Sequence, residues 1–332
     1  MRHVSILITH QALIAAIGNT HYIFSMVNDF LRKSGKEVRF DLNLVGLSKE
    51  MKLNDGLYRV QTDVVFHDLK ETDLVIIPPM SGSMETGVAK NKDYIPWIYQ
   101  QYKKGAEVAS LCVGAFLLAE TGLLEGQKCS THWQTAHNFE ERFPDVQLVD
   151  EKIITDHDGL YTSGGANSYW NLLVYLIEKF TDRAMAVRMS KYFEVEMGRD
   201  NQSQFMIFKG IKTHGDKRIK QAQEYIETHY RKKLTIDQLA EQSHLARRTF
   251  QRRFKNATHY PVGEYLQRVR VEAAKKELEA GQKTVDEVKY EAGYNDSAAF
   301  REVFKKFSGL TPVEYRNKYN KEALWWSTAK NE

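Results

Sequence analysis

The first 180 residues of the chain show short apolar runs of strand length, separated by helix-like segments. The apolar runs are Val4–Thr9, Val38–Val45, Leu74–Pro78, Val108–Cys112 and Leu160–Ser163. The helix-like segments are Ile23–Lys33, Tyr94–Lys103, Ala115–Thr121 and, after the last run, Ser168–Phe180. Strands that alternate with helices tend to pair in parallel, because each helix carries the chain back across the sheet. The pattern therefore predicts an α/β domain with a mainly parallel sheet covered on both faces.

From residue 217 onward the apolar positions follow a helical period, and one motif occurs twice. The two copies are Thr235–Phe254 and Thr284–Phe304. Each begins with a Thr suited to cap a helix and ends with two Phe one turn apart, which mark a buried helix face. The Thr residues are 49 positions apart and the Phe pairs are 50 apart, so the second copy has one extra turn residue. The pattern predicts two helix-turn-helix motifs.

The connecting segments complete the domain organisation. Amphipathic helices are predicted over Arg218–Tyr230, before the first motif, and over Gly263–Glu279, between the two motifs. The polar stretch Gly198–Gln204 is typical of an exposed linker. The chain is therefore divided into a sheet domain (1–195), a linker (196–216), an all-α domain with two helix-turn-helix motifs (217–320) and a tail (321–332).

Composition excludes several classes of protein. Of the 332 residues 42% are hydrophobic, as in a soluble globular chain, and no run is apolar and long enough to span a membrane. The N-terminal apolar run resembles a signal peptide, but its polar break at Thr9-His10-Gln11 favours a first strand. Two cysteines, Cys112 and Cys129, do not make a disulfide framework, so we expect a reducing, cytoplasmic location.

The net charge of +4 is unevenly distributed along the chain. Residues 213–320 contain 22 Lys and Arg against 15 Asp and Glu, a net charge of +7, whereas residues 1–212 carry −3. A basic C-terminal third on an acidic body indicates a polyanionic partner for that third alone. Charge alone leaves a solvated basic surface open as the alternative.

The second helix of each motif supplies the candidate base contacts. In the first copy the two Phe face inward, and the side chains left facing outward are Arg247, Arg248, Gln251 and Arg252. Arg pairs with guanine and Gln with adenine in the major groove, so these side chains are expected to read double-stranded DNA. The alternative is a solvated basic helix face.

The second copy is less basic. Asn295 is expected to cap a helix over Asp296–Lys306. The outward side chains of this helix are Asp296, Ser297, Ala298 and Arg301. Because only one of them is a cation, we expect this face to contribute less to the affinity for DNA.

Residues 217–320 resemble the AraC/XylS family of bacterial transcription regulators. The resemblance is carried by LTIDQLAEQS and TFQRRF in the first motif, by EYLQRVRVEAAKKEL in the joining helix, and by FKKFSGLTPVEYR at Phe304–Arg316. It implies a promoter or operator as the DNA target and RNA polymerase as a further partner. The chain departs from the family pattern at His244, where Gly is usual, at Ala246, where a Ser cap is usual, and at Lys289, where a small residue is usual. Lys289 is expected to fit only if its stem reaches outward.

Cys112 lies where a predicted strand passes into a predicted helix. Such a turn places a side chain at the carboxyl end of a parallel sheet, where ligands bind, beside helix N–H groups that lower a thiol pKa. The alternative is a small buried hydrophobic residue. Further along, Gly164 and Gly165 form a second strand-to-helix turn, which either only turns the chain or offers N–H groups to an anionic ligand.

Residues 3–190 resemble the ThiJ/PfpI superfamily, which is similar in its flavodoxin-like fold to the class I glutamine amidotransferases. The turn at Cys112 and the runs AETGLLEGQKCSTHW and DGLYTSGGANS carry the resemblance. It implies that Cys112 is the elbow cysteine, with His132 near it. Catalytic members have a His where this chain has Val113, and many have an acid where Ala15–Asn19 has none; Pro79 also removes an N–H from the oxyanion turn. The resemblance therefore implies a ligand pocket rather than a catalytic site, with the candidates Cys112, Val113, His132, Gly164 and Gly165.

A sensor and a DNA reader on one chain predict a transcription regulator. We expect the N-terminal domain to bind a small effector, to form a homodimer, or both, and the resemblance links such effectors to nitrogenous metabolites such as amino acids or betaines. We expect no enzymatic activity, no cofactor and no membrane partner, and no metal, because His10, His21 and His137 show no ligand spacing. The alternatives are a cysteine-dependent hydrolase, amidase or glyoxalase-like enzyme fused to a DNA-binding domain, and a redox sensor acting through Cys112.

Overall fold

The structure is a computed structural model that describes residues 1–320. The predicted tail, 321–332, lies outside the described residues. The chain divides into two compact units, Met1–Gln202 and Ser203–Glu332, and each is described by itself. Within residues 1–320, no helix combines the length and the apolar character that crossing a membrane requires.

A mainly parallel sheet forms the centre of the first unit, as predicted. In chain order its strands are β1 (Arg2–Ile8), β2 (Phe40–Gly46), β3 (Glu50–Leu53), β4 (Tyr58–Gln61), β5 (Val64–Val65), β6 (Leu74–Ile77), β7 (Glu107–Ser110), β8 (Lys128–Cys129), β9 (Gln147–Leu148), β10 (Ile154–His157) and β11 (Leu160–Ser163). Seven of them form one sheet in the order β10-β11-β7-β6-β1-β2-β5, in which only the pair β10–β11 is antiparallel. The other four form the separate pairs β3–β4 and β8–β9.

Helices cover both faces of this sheet. They are α1 (Ile14–Lys33), α2 (Met84–Lys90), α3 (Tyr94–Lys103), α4 (Ala115–Ala119), α5 (Ala136–Arg142), α6 (Ser168–Phe180) and α7 (Arg183–Tyr192). Alternate residues of β1 enter opposite cores: Val4 and Ile6 pack with α1, α6 and α7, whereas Leu7 packs with α3 and α4. The expected α/β architecture, with a sheet between two helical layers, is confirmed.

Several elements of the first unit differ from the sequence prediction, among them α1 and β10. Helix α1 begins at Ile14 rather than at Ile23, because the apolar residues after the first strand, such as Ala16 and Ile17, are buried on the helix. The pattern does not predict β10, since Ile154–His157 mixes apolar and polar side chains. This strand lies at the edge of the sheet and is only partly covered, so it needs no continuous apolar run.

Over residues 203–320 the regular elements of the second unit are helices, as predicted. Its helices are α8 (Lys217–His229), α9 (Ile236–Gln242), α10 (Arg247–Thr258), α11 (Val262–Ala280), α12 (Val285–Glu291), α13 (Ser297–Ser308) and α14 (Pro312–Tyr319). Thr235 and Thr284 cap α9 and α12 in capping boxes, which confirms the two predicted starts. The helices form two separate apolar cores, and α11 contributes to both, with Tyr265 in the first and Leu278 in the second.

The internal repeat extends beyond the two motifs. The phenol of Tyr265, at the start of α11, donates to Glu227 on α8 at 2.6 Å. The phenol of Tyr315, at the start of α14, donates to Glu279 on α11 at the same distance. Each set of four helices is closed by an equivalent Tyr–Glu hydrogen bond. We call α8–α11 the first module and α11–α14 the second module.

The linker, 196–216, is partly packed, and the stretch Gly198–Gln204 that was predicted to be exposed contains the buried residues Gln202 and Ser203. Gln202 is 1% exposed inside the first unit. Phe208 packs against the core of the first module, and Asp216 caps α8 by accepting from the N–H of Ile219. The polar composition of this segment misleads because several of its side chains bond to groups inside the protein rather than to water.

Candidate nucleic-acid interface and effector site

Helix α10 separates a buried aromatic face from an exposed basic face. Phe250 and Phe254 are fully buried, so the opposite side of the helix faces solvent. The four predicted base readers lie on this exposed side: Arg247, Arg248, Gln251 and Arg252. Arg247 is partly engaged, since its guanidinium lies 3.0 Å from the Asp237 carboxylate on α9. Arg248, Gln251 and Arg252 therefore form the more available part of the basic face.

An ion pair that the sequence does not reveal holds α10 in place. Arg253 donates two hydrogen bonds of 2.8 Å to Asp216, one to each carboxylate oxygen. These bonds hold the pKa of Asp216 below its ordinary value. The two residues are 37 positions apart, so only the folded chain shows that Arg253 positions the helix rather than reading bases.

The turns of the two motifs have the same backbone shape with different residues. His244 in the first turn and Gly293 in the second both adopt positive φ, 51° and 82°. The left-handed conformation costs a residue with a side chain about 1 kcal/mol, so His244 carries strain that Gly293 avoids. Ala246 offers no side-chain cap to α10, as expected from its departure from the family pattern.

Helix α13 differs from the prediction at its start. Asp296, not Asn295, caps it, and the Asp296 carboxylate accepts from the N–H of Ala299 at 2.6 Å. Ser297 is also engaged, because its hydroxyl accepts from the ammonium of Lys289 at 2.9 Å. Both side chains are thus bonded within the second module, which makes them poorer base readers than predicted.

Lys289 does not reach outward to solvent, contrary to the expectation. The residue is 5% exposed, and its ammonium also lies 3.0 Å from Asp286. That carboxylate raises the pKa of Lys289. A large residue fits where a small one is usual because its charge is paired inside the motif.

The other predicted contacts on α13, Ala298 and Arg301, are exposed, and so are two cations that the sequence analysis does not single out. Lys305 and Lys306 are exposed near the end of the same helix. Lys305 follows Arg301 by four positions, so the two side chains share one side of the helix. The four-residue spacing from Arg301 is the sequence signal that identifies Lys305 as part of this face. Lysines placed like this commonly contact phosphates rather than bases.

In the first unit, the backbone at Cys112 has the strained geometry expected of a strand-to-helix turn. Its φ is 54°, in the left-handed region. Neighbouring side chains hold it there, since the Cys112 N–H donates to the Ser163 hydroxyl at 3.0 Å and the Thr131 hydroxyl donates to the Cys112 carbonyl at 3.2 Å. Gly114 completes the turn, because a Cβ on it would lie 2.7 Å from the carbonyl oxygen of Ile77.

The thiol at this turn is not activated. Cys112 is 6% exposed, and burial raises the pKa of its thiol, although the N–H groups of Ala166 and Val113 act in the opposite direction. The expectation that helix N–H groups make this pKa low is therefore wrong, because desolvation outweighs them. Cys129 is fully buried, and burial raises its pKa to about 12.

The structure brings the five pocket candidates into one neighbourhood. The Cys112 thiol bonds to the N–H of Ala166, which follows Gly165. Gly165 lies against the ring of His132, since a Cβ on it would be 2.5 Å from the ring atom Cδ2. His132 is half-buried, its Nδ1 accepts from the N–H of Gln134, and burial lowers its pKa, which keeps it neutral. Val113 and Gly164 complete the group.

The glycine turn does not offer free N–H groups to an anion. The N–H of Gly164 donates to the carbonyl of Ile153 at 2.9 Å, and that of Gly165 donates to the side-chain oxygen of Gln202 at 2.8 Å. The anion-binding alternative is therefore wrong, and the structural role of the turn stands. A Cβ on Gly164 would lie 2.8 Å from the Gln202 carboxamide, so glycine is needed there to make room for it.

Gln202 is a residue of this site that sequence reasoning missed. Its amide nitrogen donates to the carbonyls of Thr131 at 3.0 Å and Asp150 at 2.6 Å. With Gly165, these groups satisfy both ends of its carboxamide in a nearly closed environment. No local pattern marks this residue, because its partners are 37 to 71 positions away.

The stretch Ala15–Asn19, where many ThiJ/PfpI proteins carry an acid, contributes a neutral amide instead. Asn19 donates from its amide to the phenol oxygen of Tyr169 at 2.7 Å. Burial raises the pKa of Tyr169, with a small contribution from nearby Cys112. A neutral amide and a protonated phenol supply no carboxylate base beside Cys112 at this position.

Two family models match the chain, one on each unit. The model described as DJ-1/PfpI family matches residues 20–179, and the model described as Helix-turn-helix domain matches residues 239–318. The second match covers most of the first motif, the joining helix and the second motif.

The chain is also similar to individual curated proteins. The HTH-type transcriptional regulator GbdR of Pseudomonas aeruginosa is 22% identical over 269 residues, which cover 81% of this chain and 72% of the relative. The regulatory protein SoxS of Salmonella typhimurium is 30% identical over 95 residues, which cover 29% of this chain and 89% of SoxS.

Among solved structures, a protein from Vibrio parahaemolyticus described as a transcriptional regulator covers 57% of this chain and 98% of its own, with a TM-score of 0.52 at 21% identity. This likeness concerns the fold.

Proposed function

We propose that this chain, which belongs to the AraC-type helix-turn-helix transcription regulators with an N-terminal DJ-1/PfpI domain, reads its DNA target mainly with α10 and takes its effector beside the Cys112 turn. The chain is a DNA-binding regulator with an N-terminal sensing domain.

The exposed face of α10 carries the DNA proposal. Arg248, Gln251 and Arg252 have no part in the buried core, which the opposite face of the helix supplies. Side chains of these types form bidentate hydrogen bonds with guanine and adenine in the major groove. On α13, Arg301 would supply the second base contact and Lys305 and Lys306 would contact phosphates, which makes α13 the weaker reader.

Substitution of Arg252 tests this assignment. The probe is a DNA fragment that the wild-type protein selects from a random-sequence library. Arg252→Ala is expected to weaken binding to this fragment about tenfold or more and to relax discrimination at one base position. Lys276→Ala, which removes an exposed charge from α11, is the control and should leave discrimination unchanged. Wild-type affinity and discrimination in Arg252→Ala would refute α10 as the main reader.

The effector proposal rests on a cleft that reaches the His132 turn. This cleft has a volume of about 580 Å³, and its lining includes Glu85, Gln134, Asn138 and Arg142. Gln134 connects it to the site described above, since its N–H donates to the His132 ring at 3.1 Å. Glu85 can bind a cationic nitrogen and Asn138 can bind a carboxylate oxygen, which suits a nitrogenous metabolite such as an amino acid or betaine. Arg142 also lines the cleft, but its guanidinium is paired with the Glu120 carboxylate.

Ligand-induced stabilisation tests the cleft. The full-length protein is heated with a panel of free amino acids and betaines, because a ligand that binds the folded state raises the unfolding midpoint. Glu85→Gln is expected to abolish the rise for the active compound, whereas Glu125→Gln, an exposed glutamate elsewhere in the same unit, should retain it. An undiminished rise in Glu85→Gln would place the effector elsewhere.

Gln202 would couple effector binding at this site to the DNA affinity of the second unit. It bonds to Gly165, which touches His132, and the next residue begins the second unit. An effector that moves the His132 turn would therefore shift the population of arrangements open to the DNA readers. Gln202→Ala is expected to bind the effector and yet show no change of DNA affinity with it. An intact effector response in Gln202→Ala would reject this route.

We propose a non-enzymatic role, because burial raises the pKa of the Cys112 thiol and because GbdR, which matches 81% of the chain, is a regulator. An amidase or glyoxalase assay of the wild type against Cys112→Ala checks this, and turnover that disappears in the variant would establish an enzyme.

A homodimer that recruits RNA polymerase is the assembly we propose. Sedimentation of the full-length chain should give a dimer mass, and a monomer at all concentrations would exclude that part.

A further inference from the structure

The first residues of the second unit lie on the helix that the two modules share. We call residues 203–208 the arm. Its first turn is a short 3-10 helix, Ser203–Phe205. The carbonyl of Met206 accepts a 2.8 Å hydrogen bond from the ammonium of Lys275, which is 5% exposed on α11. A buried lysine almost always has a bonding partner, and here the Lys275 ammonium donates to the backbone of the arm.

The arm also packs on the first module. The ring of Phe208 lies between Tyr260 and Tyr265, with ring centroids 5.7 Å and 5.1 Å away. Its N–H donates to Glu272 on α11 at 3.2 Å. Aromatic contacts of this edge-to-face kind add to the stability that burial alone provides.

The other end of the arm bonds to the second module. The side-chain oxygen of Gln204 accepts from the ammonium of Lys318 on α14 at 2.6 Å. Contacts to the two modules therefore lie only four positions apart in the arm: Gln204 contacts the second module and Phe208 the first. Each module has its own apolar core, so the arm supplements the connection that α11 makes between them.

Arg268 of α11 links the arm to the second recognition helix. Its guanidinium lies 4.4 Å from the ring centroid of Tyr260 in the first module and 4.6 Å from that of Phe307 on α13. The ring of Phe208 lies on the same guanidinium at 6.0 Å. An ion pair with Glu264 at 2.9 Å fixes the orientation of the group.

We propose that the arm and Arg268 set the angle between the two recognition helices and thereby determine how much the second helix adds to DNA binding. Phe208, Lys275 and Arg268 are positioning residues: they touch no DNA and act by holding α13 in register with α10. This inference rests on the proposal that both α10 and α13 contact DNA. When two recognition helices are held rigidly on one domain, binding of the first gives the second a high effective concentration at its own DNA segment. This gain in affinity falls when the relative orientation of the two helices is free.

The test compares two DNA fragments with the full-length protein. One is the fragment selected by the wild type, and the other has the segment under α13 replaced by unrelated sequence. The measured quantity is the ratio of the two affinities, which is the gain from the second reader. Phe208→Ala is expected to reduce this ratio about tenfold while leaving the affinity for the replaced fragment unchanged.

Two further variants separate positioning from loss of the fold. Arg268→Lys keeps the charge but loses the planar group between the rings, so it should also lower the ratio. Ile207→Ala is the matched control, because Ile207 is an apolar arm residue that is 49% exposed, and it should keep the wild-type ratio. Thermal unfolding of each variant shows whether the domain is folded.

Three outcomes would overturn the inference. A wild-type ratio in both Phe208→Ala and Arg268→Lys would show that the arm does not set the angle. An equal loss of affinity for both fragments would show a general structural effect instead. Equal affinity of the wild type for the two fragments would remove the second reader itself, and with it the premise taken from the proposed function.

Discussion

The backbone N–H of Gly165 donates a 2.8 Å hydrogen bond to the side-chain oxygen of Gln202. This bond joins the turn beside the Cys112 site to the last residue of the first unit. A Gly-Gly turn at the end of a strand commonly presents its N–H groups to a ligand. Here the Gln202 carboxamide occupies the position that a ligand would take at such a turn. The chain continues from Gln202 directly into the arm.

Removal of the Gln202 carboxamide is expected to destabilise the first unit. Gln202→Ala leaves the Gly165 N–H and the Thr131 carbonyl buried without their partner, at a cost of about 3 kcal/mol in the free energy of unfolding. Urea unfolding of the full-length protein measures this change. Gln100→Ala, an exposed glutamine on α3, should change it little, and an equal loss in both variants would contradict the assigned role of Gln202.

Two glycine substitutions should act in opposite directions. Gly164→Ala places a methyl group 2.8 Å from the Gln202 carboxamide and should cost about 2 kcal/mol. Gly18→Ala has no atom within 4 Å on the exposed side of α1 and should stabilise by about 0.5–1 kcal/mol, because alanine favours a helix. In a Gln202→Ala background Gly164→Ala should lose most of its cost. If Gly164→Ala destabilises the Gln202→Ala protein as much as the wild type, the added methyl group does not clash with the Gln202 side chain.

The Asp216–Arg253 pair predicts a pH-dependent contribution to stability. Hydrogen bonds from Arg253 lower the pKa of Asp216 from its ordinary value of 3.8 in the folded state. The carboxylate therefore stabilises the fold at pH values above 3.8, and this contribution disappears as pH falls through the lowered pKa. Asp216→Asn should lower the midpoint of thermal unfolding by a few degrees at neutral pH and by progressively less below pH about 4. A difference that stays constant into strong acid would contradict the ion pair.

Cys112 should react slowly in the native protein. Burial raises the pKa of its thiol, so at neutral pH its thiolate fraction is below that of a free cysteine. Alkylation by iodoacetamide at pH 7 is expected to be about tenfold slower than for a free thiol, and denaturant should remove the difference. Peptide mass spectrometry distinguishes Cys112 from Cys129, and Cys112→Ser is the control. Rapid native labelling of Cys112 would instead support a redox sensor.

Local sequence was sufficient for most of the architecture. The alternating runs predict the parallel sheet, and the spacing of Phe250, Phe254, Phe300 and Phe304 predicts the buried faces of both recognition helices. The Cys112 turn is also visible in sequence, because it occurs where a strand pattern meets a helix pattern. These features depend on a backbone period or on adjacent residues, which a linear sequence records directly.

The features that determine the chemistry depend on distant partners. Desolvation keeps Cys112 protonated, and it depends on how many residues from elsewhere in the chain cover the thiol. Gln202 and Lys289 are polar in sequence and buried in the fold, because Gly165 and Asp286 satisfy them. Sequence periodicity indicates which side of an element is apolar. The fold determines which polar groups meet, and that decides whether a turn binds a ligand and whether a cation faces DNA or a neighbouring carboxylate.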